Sequence, residues 1–285
     1  MLDNQLELLA PARDADIGIA AVDHGADAVY IGGPSFGARK SADNSLADIA
    51  RLVEHAHGYH ARVFVTLNTI LRDDELEPAR RLAWSLYDAG VDGLIIQDMG
   101  LLMIDLPPIQ LHASTQCDIR TPAKARFLED AGLSQLVLAR ELTLDQIRAI
   151  RAATGVPLEF FIHGALCVAY SGQCLTSESL GGRSANRGQC AQACRLHYEL
   201  ICDGADRELG DVKYLLSPQD LAGYDSIPDL LKAGVASLKI DGRLKTPEYV
   251  ANITHHYRQA IDEASSGQAV SIGESEKQEM ELSFS

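Results

Sequence analysis

The residues best suited to chemistry are four cysteines in the spacing C-x6-C-x15-C-x3-C, namely Cys167, Cys174, Cys190 and Cys194. Four thiolates supplied by one segment can saturate a tetrahedral zinc ion or hold an iron–sulfur cluster. The paired C-x2-C pattern of many zinc sites is missing, which favours the cluster, and glycines between the cysteines would let the backbone wrap closely around a compact centre. Zinc binding and scattered structural thiols stay open as alternatives.

Two other patterns resemble sites but fit simpler roles. Residues 33–37 match the G-x-S-x-G motif, with Ser35 as the nucleophile, but that motif requires an immediate helix and the next helix signal is Ser45. Three histidines fall at the end of a predicted helix, where the partial negative charge favours histidine without any metal; they are His55, His57 and His60. The remaining cysteines, Cys117 and Cys202, stand apart, and we interpret them as small buried hydrophobic residues.

A recurring unit positions these residues: a helical stretch closed by glycine, followed by an apolar run without alternation. Such runs are typical of parallel strands that are covered on both faces. The predicted strands are residues 6–9, 28–31, 63–67, 93–96, 109–112, 136–138, 158–162 and 237–240. Thr143 with Gln146 forms a capping box, and Thr121 and Thr246 each precede a proline at a first helical position.

Eight βα units predict an α/β fold, a (β/α)8 TIM-barrel-like domain. An open doubly wound sheet is the alternative, but no glycine-rich dinucleotide fingerprint follows the first strand. The spacing breaks after the seventh strand, where residues 165–220 hold five of the six cysteines. We therefore predict a barrel over residues 1–264 with a cysteine-rich insertion at 165–220, and a tail or the start of a C-terminal region at 265–285.

Polar residues follow several predicted strands at their C-terminal ends, where TIM barrels build their active sites. The candidates for substrate binding are Asn68, Ser114, Gln116, Arg140, Lys239 and Arg243. Three arginines surround the last two cysteines of the insertion; they are Arg183, Arg187 and Arg195. They form either a phosphate-contacting rim for RNA or a solvated face that offsets an acidic chain.

Composition excludes several classes of protein. With 46% hydrophobic and 23% charged residues, the chain of 285 residues is typical of a folded globular protein, and its longest uncharged apolar runs are too short to span a membrane. The net charge of −15 argues against a global polyanion-binding surface but permits a local basic patch. The first residues lack a basic region and a cleavage site, so we expect a cytoplasmic protein with reduced cysteines.

Residues 159–174, which read EFFIHGALCVAYSGQC, resemble the signature of the collagenase-like peptidase family. Further matching stretches are AVYIGGPSFGA at 28–38, LHASTQCDIR at 111–120 and SANRGQCAQACR at 184–195, and the resemblance extends from residue 6 to about residue 263. The family name is historical, since better-understood bacterial members are oxygen-independent hydroxylases of ribosomal RNA, transfer RNA or ubiquinone. The resemblance is strongest to the branch that acts on ribosomal RNA.

The resemblance implies a [4Fe–4S] cluster on the four insertion cysteines. It also implies prephenate as the oxygen source for forming 5-hydroxycytidine in large-subunit ribosomal RNA. We expect Arg140, Lys239 and Arg243 to bind the carboxylates of prephenate, because arginine offers a bidentate fork to such groups. His163 and Glu141 are the candidates for proton transfer, with His163 preferred because the ordinary pKa of histidine is near neutral.

The alternatives come from other functional classes. A collagenase-like peptidase would need a nucleophile and a base, for which Ser35 is the weak match. A transfer-RNA uridine hydroxylation protein would use the same barrel on a different RNA. A cluster-bearing subunit without catalysis of its own would require a second protein for activity.

Overall fold

The computed structural model describes residues 6–38, 44–242, 245–270, 272–273, 276, 278 and 280. Within this part, eight parallel strands close into a barrel, because the last strand pairs with both the seventh and the first. These strands are β1 (Glu7–Ala12), β2 (Ala28–Gly32), β3 (Arg62–Leu67), β4 (Gly93–Ile96), β5 (Gln110–Ala113), β6 (Gln135–Val137), β7 (Leu158–Gly164) and β11 (Ser237–Ile240). The predicted TIM-barrel-like fold is confirmed, with strand ends that differ from the sequence prediction by up to three residues.

Helices surround the barrel: α1 (Ala15–Asp23), α2 (Leu46–Gly58), α3 (Asp73–Asp88), α4 (Pro122–Asp130), α5 (Leu144–Arg151), α7 (Ile227–Lys232) and α8 (Pro247–Ser265). The predicted caps are present, since the hydroxyls of Thr121, Thr143 and Thr246 each accept a backbone N–H of the first helical turn. The turn after α2 differs from the expected glycine pattern, because His60 and not Gly58 takes the left-handed conformation, with φ of 61°.

Two kinds of core hold the barrel. Between strands and helices lies a large apolar layer that includes Leu8, Ile31 and Val65. Inside the barrel the apolar cluster is small, consisting of Leu9, Ala28, Tyr30, Phe64 and Ile95. Buried charged side chains lie beside this small cluster, among them Glu7, Glu159 and Lys239.

The segment of residues 165–220, here called the cysteine segment, connects β7 to β10 (Leu221–Ala222), a short strand antiparallel to β7. It contains α6 (Thr176–Gly181) and a hairpin of β8 (Leu200–Cys202) and β9 (Ala205–Arg207). Two of its glycines contact loops at the C-terminal mouth. A Cβ added at Gly172, where φ is +75°, would lie 2.2 Å from the carbonyl oxygen of Gln116, and one at Gly188, where φ is +78°, would lie 2.6 Å from that of Gly37. Glycine at these two positions therefore allows the cysteine segment to approach the mouth this closely, because any side chain would collide with the loops.

No helix in the described ranges is both long enough and apolar enough to cross a membrane.

Candidate functional site

A cavity of about 210 Å³ lies at the C-terminal mouth of the barrel, between the strand ends and the cysteine segment. The four cysteines at positions 167, 174, 190 and 194 all line it, and three of them are half-buried while Cys167 is exposed. Burial raises the pKa of the Cys194 thiol; Arg195 opposes this shift, while the other three cysteines add to it. The four thiols are thus close enough to interact electrostatically, although among the described residues no group of three or more His, Cys, Asp or Glu is arranged to hold a single metal ion.

The other two cysteines lie away from this cavity. Cys117 is buried, and its thiol is 3.7 Å from the carbonyl oxygen of Ile96. Burial raises the pKa of this thiol to about 12, so it stays protonated and unreactive. Cys202 is exposed on β8, and the expectation that it is buried is therefore wrong.

Two cations form the floor of the cavity. Nζ of Lys239 lies 2.6 Å from Oε1 of Glu159, and both side chains are almost fully buried. The guanidinium of Arg140 lies 4.0 Å above the ring of Phe161, and its Nη2 is 3.2 Å from Oδ2 of Asp241. The Nε of Arg140 is buried and has no hydrogen-bond acceptor among the described residues. Each cation is paired with a carboxylate, so the floor carries little net charge. It does place the Nε of Arg140, which has no acceptor among the described residues, close to aromatic surface, and this suits a carboxylate-bearing ligand.

One wall of the cavity is a chain of hydrogen-bonded polar groups from two strand ends, those of β3 and β5. The amide Nδ2 of Asn68 donates to Oγ of Ser114 at 3.1 Å, and its Oδ1 accepts the backbone N–H of Ala38 at 2.9 Å. Ser114 in turn accepts the backbone N–H of Gln116 at 3.2 Å. The structure brings these three predicted residues together at the cavity. Their mutual hydrogen bonds fix the shape of the wall.

Comparison with known proteins identifies the family of this chain. Residues 13–285 match the description Peptidase family U32. The chain belongs to this family. It is 63% identical over 259 residues to the 23S rRNA 5-hydroxycytidine C2501 synthase of Escherichia coli, covering 91% of this chain and 40% of that protein. It is 39% identical over 267 residues to the tRNA hydroxylation protein P1 of Bacillus subtilis, covering 90% of this chain and 63% of that protein.

Among solved structures, the U32 peptidase Mk0906 superposes with a TM-score of 0.56 at 15% sequence identity, covering 83% of this chain and 93% of that chain. At this identity the likeness shows a shared fold. The chain spans 40% and 63% of the lengths of these two relatives, so their complete sequences contain regions that this chain does not match.

The family name raises the question of a serine nucleophile, which the geometry does not favour. Ser35 is exposed on the loop after β2, and residues 33–38 of this loop are not helical. The histidines of α2 also serve as surface groups, since His55 contacts Asp23 at 2.8 Å and His57 contacts Asp92 at 3.0 Å. These two histidines each contact a different carboxylate at the protein surface.

The two predicted proton-transfer residues of this U32 protein do not line the cavity. His163 is buried, and its Nδ1 is 3.1 Å from the hydroxyl of Tyr257 on α8. A register shift between β7 and β11 explains this placement, because Phe161 pairs with Lys239 but His163 pairs with Ile240. Burial lowers the pKa of His163 to about 4, so the ring is neutral at physiological pH.

Glu141 anchors the cysteine segment to the barrel. Its Oε1 accepts the backbone N–H of Ser171 at 3.1 Å, and its Oε2 accepts the Ser171 hydroxyl at 2.9 Å. The backbone N–H of Arg140 also donates to this hydroxyl, at 3.4 Å. The position of Glu141 therefore corrects its predicted role, because the carboxylate holds the loop and does not face the cavity. The remaining predicted carboxylate-binding residue, Arg243, lies outside the described residues.

The three arginines predicted to contact RNA have different surroundings. Arg187 forms a bidentate pair with Glu75 of α3, at 2.7 and 3.0 Å, and also donates to the carbonyl of Ile70. Arg195 donates to Ser217 and to the carbonyls of Pro218 and Leu166, all within 2.7 Å. Both therefore hold the cysteine segment in place, which corrects the prediction of a shared phosphate rim.

Arg183 is the exception, because it is exposed and its side chain forms no ion pair or hydrogen bond with another described residue.

Two functional candidates escaped the sequence analysis. Glu159 carried a signal that was available, since a glutamate inside an apolar strand is costly unless it is paired. Tyr170 carried none, because an exposed aromatic residue in a loop has no pattern of its own.

Proposed function

We propose that this chain is the catalytic barrel of an iron–sulfur-dependent, oxygen-independent RNA hydroxylase that forms 5-hydroxycytidine in large-subunit ribosomal RNA, with prephenate as the oxygen source. The observation that carries this proposal is the convergence of four cysteines and two cations on one cavity at the barrel mouth. The 63% identity to the Escherichia coli synthase, against 39% to the transfer-RNA hydroxylation protein, supports cytidine in ribosomal RNA as the substrate.

The donor set fits an iron–sulfur cluster. Four thiols line one cavity, and thiolates are the ligands that such clusters take. A bound cluster would supply one-electron redox chemistry at the cavity. Cys167, Cys174, Cys190 and Cys194 would hold it.

Arg140 is the principal candidate for binding a carboxylate of prephenate. Its buried Nε lacks an acceptor among the described residues, and its Nη2 is shared with Asp241 at 3.2 Å. An incoming carboxylate would satisfy the Nε and strengthen a site that is already partly desolvated. Lys239 lies below this site, and Glu159 compensates much of its positive charge. The role of Lys239 is therefore to orient the ligand against the rings of Tyr30 and Phe161.

The cavity shape suits one nucleotide base and not a duplex. Chemistry on a base requires that the base leave the stack, and single-stranded or looped RNA offers this at low cost. Ile95, Val137 and Phe161 provide apolar surface within the cavity, while Asn68 and Ser114 provide its polar wall. These residues would orient the base and exclude water around it.

A chimera tests the proposal directly. This chain would replace the matching 259-residue region of the Escherichia coli synthase, in a strain that lacks the native gene. We expect mass spectrometry of digested ribosomal RNA to detect 5-hydroxycytidine with the unaltered chimera, and none with Cys174→Ala. Cys202→Ala is the matched control and should keep the product, because Cys202 is exposed away from the cavity.

The same cultures distinguish the alternatives. Hydroxylated uridine in transfer RNA, without 5-hydroxycytidine, would redirect the proposal to the transfer-RNA substrate. Cleavage of casein or gelatin that is abolished by Ser35→Ala, without any hydroxylated nucleoside, would replace it with a peptidase.

A further inference from the structure

We infer that Tyr170, backed by Arg120, stacks on an unpaired base of the RNA at the entrance of the cavity. This inference rests on the proposed function and deepens it by naming where the RNA chain is held. Arg187 and Arg195 are committed to contacts within the protein, so Arg183 is the one of the three predicted arginines that is left to contact RNA. A single exposed arginine is a small surface, and we therefore expect further RNA contacts elsewhere on the mouth.

Tyr170 occupies the boundary between two depressions. It lines the cavity that holds the four cysteines, and it also lines an adjoining outer groove with Arg120, Thr121, Lys124 and Gln146. Tyr170 is exposed, with 60% of its surface accessible to solvent. Any chain that passes from the groove into the cavity must cross this ring.

The ring is held in a fixed position. Arg120 lies with its guanidinium carbon 4.2 Å from the ring centroid, and Asp118 fixes Arg120 through contacts of 2.5 and 3.0 Å. On the other side of the loop, the carboxylate of Glu141 binds both the backbone N–H and the hydroxyl of Ser171. A rigid exposed aromatic ring loses little conformational entropy when a base stacks on it.

The groove is less acidic than the chain as a whole, and it is therefore a better surface for a nucleic acid. Arg120 and Lys124 balance the carboxylates of Asp118 and Glu141, whereas the whole chain has a net charge of −15. Both carboxylates accept hydrogen bonds from the protein. Arg120 and Gln173 donate to Asp118, and Ser171 donates to Glu141. The groove thus offers Lys124 as a cation for a phosphate, beside a platform for a base that Arg120 supports.

The test is fluorescence anisotropy with a labelled single-stranded RNA of about ten nucleotides, long enough for one such site. The protein is the full 285-residue chain, handled anaerobically, with iron content measured for every variant. We expect Tyr170→Ala to weaken binding by about 5- to 100-fold, and Tyr170→Trp to stay within about twofold of the unaltered chain, since stacking needs only an aromatic face. The matched control is Tyr59→Ala, because Tyr59 is 65% exposed at the end of α2, on the opposite side of the barrel.

Arg120→Gln provides a second variant that changes no residue of the cysteine segment. It should weaken binding, because the Tyr170 ring loses the guanidinium that holds it in position. A duplex of the same sequence should bind more weakly than the single strand. The inference is overturned if Tyr170→Ala and Arg120→Gln bind like Tyr59→Ala, if the duplex binds as well as the single strand, or if the unaltered chain does not bind RNA.

These outcomes are separable from the proposed function. If the binding results are as expected but the unaltered chimera forms no 5-hydroxycytidine, the hydroxylase proposal fails and the RNA site stands. If the chimera forms product while RNA binding does not depend on Tyr170, only the stacking site fails.

Discussion

Glu159 and Lys239 form an ion pair inside the barrel, with Oε1 and Nζ 2.6 Å apart and side-chain exposures of 0% and 5%. The second carboxylate oxygen of Glu159 accepts the amide of Gln135 at 2.7 Å, and Nζ of Lys239 lies 4.2 Å above the ring of Tyr30. Both charged groups of this pair are thereby compensated by their neighbours. The pair supports the floor of the cavity from below, so its loss should affect both the fold and the ligand site.

We expect Lys239→Met to lower the free energy of unfolding by about 3–5 kcal/mol, because it leaves the Glu159 charge buried without a cation. The double variant Lys239→Met with Glu159→Gln should recover a large part of this loss, since no buried charge remains. Urea denaturation of the three proteins measures the effect. Equal stability of the single and double variants would show that the pair is not coupled as the geometry indicates.

Arg140→Gln should weaken prephenate binding by about 10- to 100-fold, because a charge-assisted hydrogen bond contributes about 1.5–3 kcal/mol. The fold should be kept, since Arg140 lines the cavity at the C-terminal mouth and is not part of either apolar core. Isothermal titration with prephenate measures the affinity, and iron content and the unfolding midpoint serve as controls. Unchanged affinity would remove Arg140 from the anion site.

Cys190→Ala should lose most of the iron and of the visible absorption of anaerobically purified protein, which should otherwise contain about four irons per chain. Cys117→Ala is a control of the same chemical change, because that thiol is buried away from the cavity and its pKa is raised to about 12. Iron and sulfide analysis checks both. Stoichiometric zinc without iron, in protein prepared under anaerobic conditions, would contradict the cluster.

Arg187→Gln should loosen the cysteine segment and leave RNA binding nearly unchanged. The Arg187 hydrogen bonds hold the pKa of Glu75 down to about 2, from an ordinary value of 4.5. A lowered carboxyl pKa stabilises the folded state fully above the unfolded pKa of 4.5, and this contribution is lost as the pH falls towards 2. The variant should therefore be less stable than the unaltered chain by about 1 kcal/mol near neutral pH, with a difference that shrinks in acid.

Hydrogen exchange of the cysteine segment and denaturation at several pH values check this prediction. A difference in stability that is the same at neutral pH and near pH 3 would contradict the pairing with Glu75. A large loss of RNA affinity would instead restore Arg187 to the RNA surface.

The sequence alone determined the barrel and the placement of its cysteines. Strand runs, helix caps such as Thr143 with Gln146, and the break in spacing after β7 are local patterns, and local patterns depend on neighbours along the chain. The position of the four cysteines at the C-terminal mouth followed from the order of the strands, because a segment after a barrel strand lies at that end.

Only the tertiary structure decided what each polar side chain faces. Glu159 and Lys239 are 80 residues apart, and Arg187 and Glu75 are 112 apart, so no local pattern pairs them. His163 was expected at the cavity from its place at a strand end, but a register shift turns it to Tyr257 of α8. A side chain is available for a ligand only when its charge and hydrogen bonds are not already satisfied, and those partners are brought together by closure of the barrel.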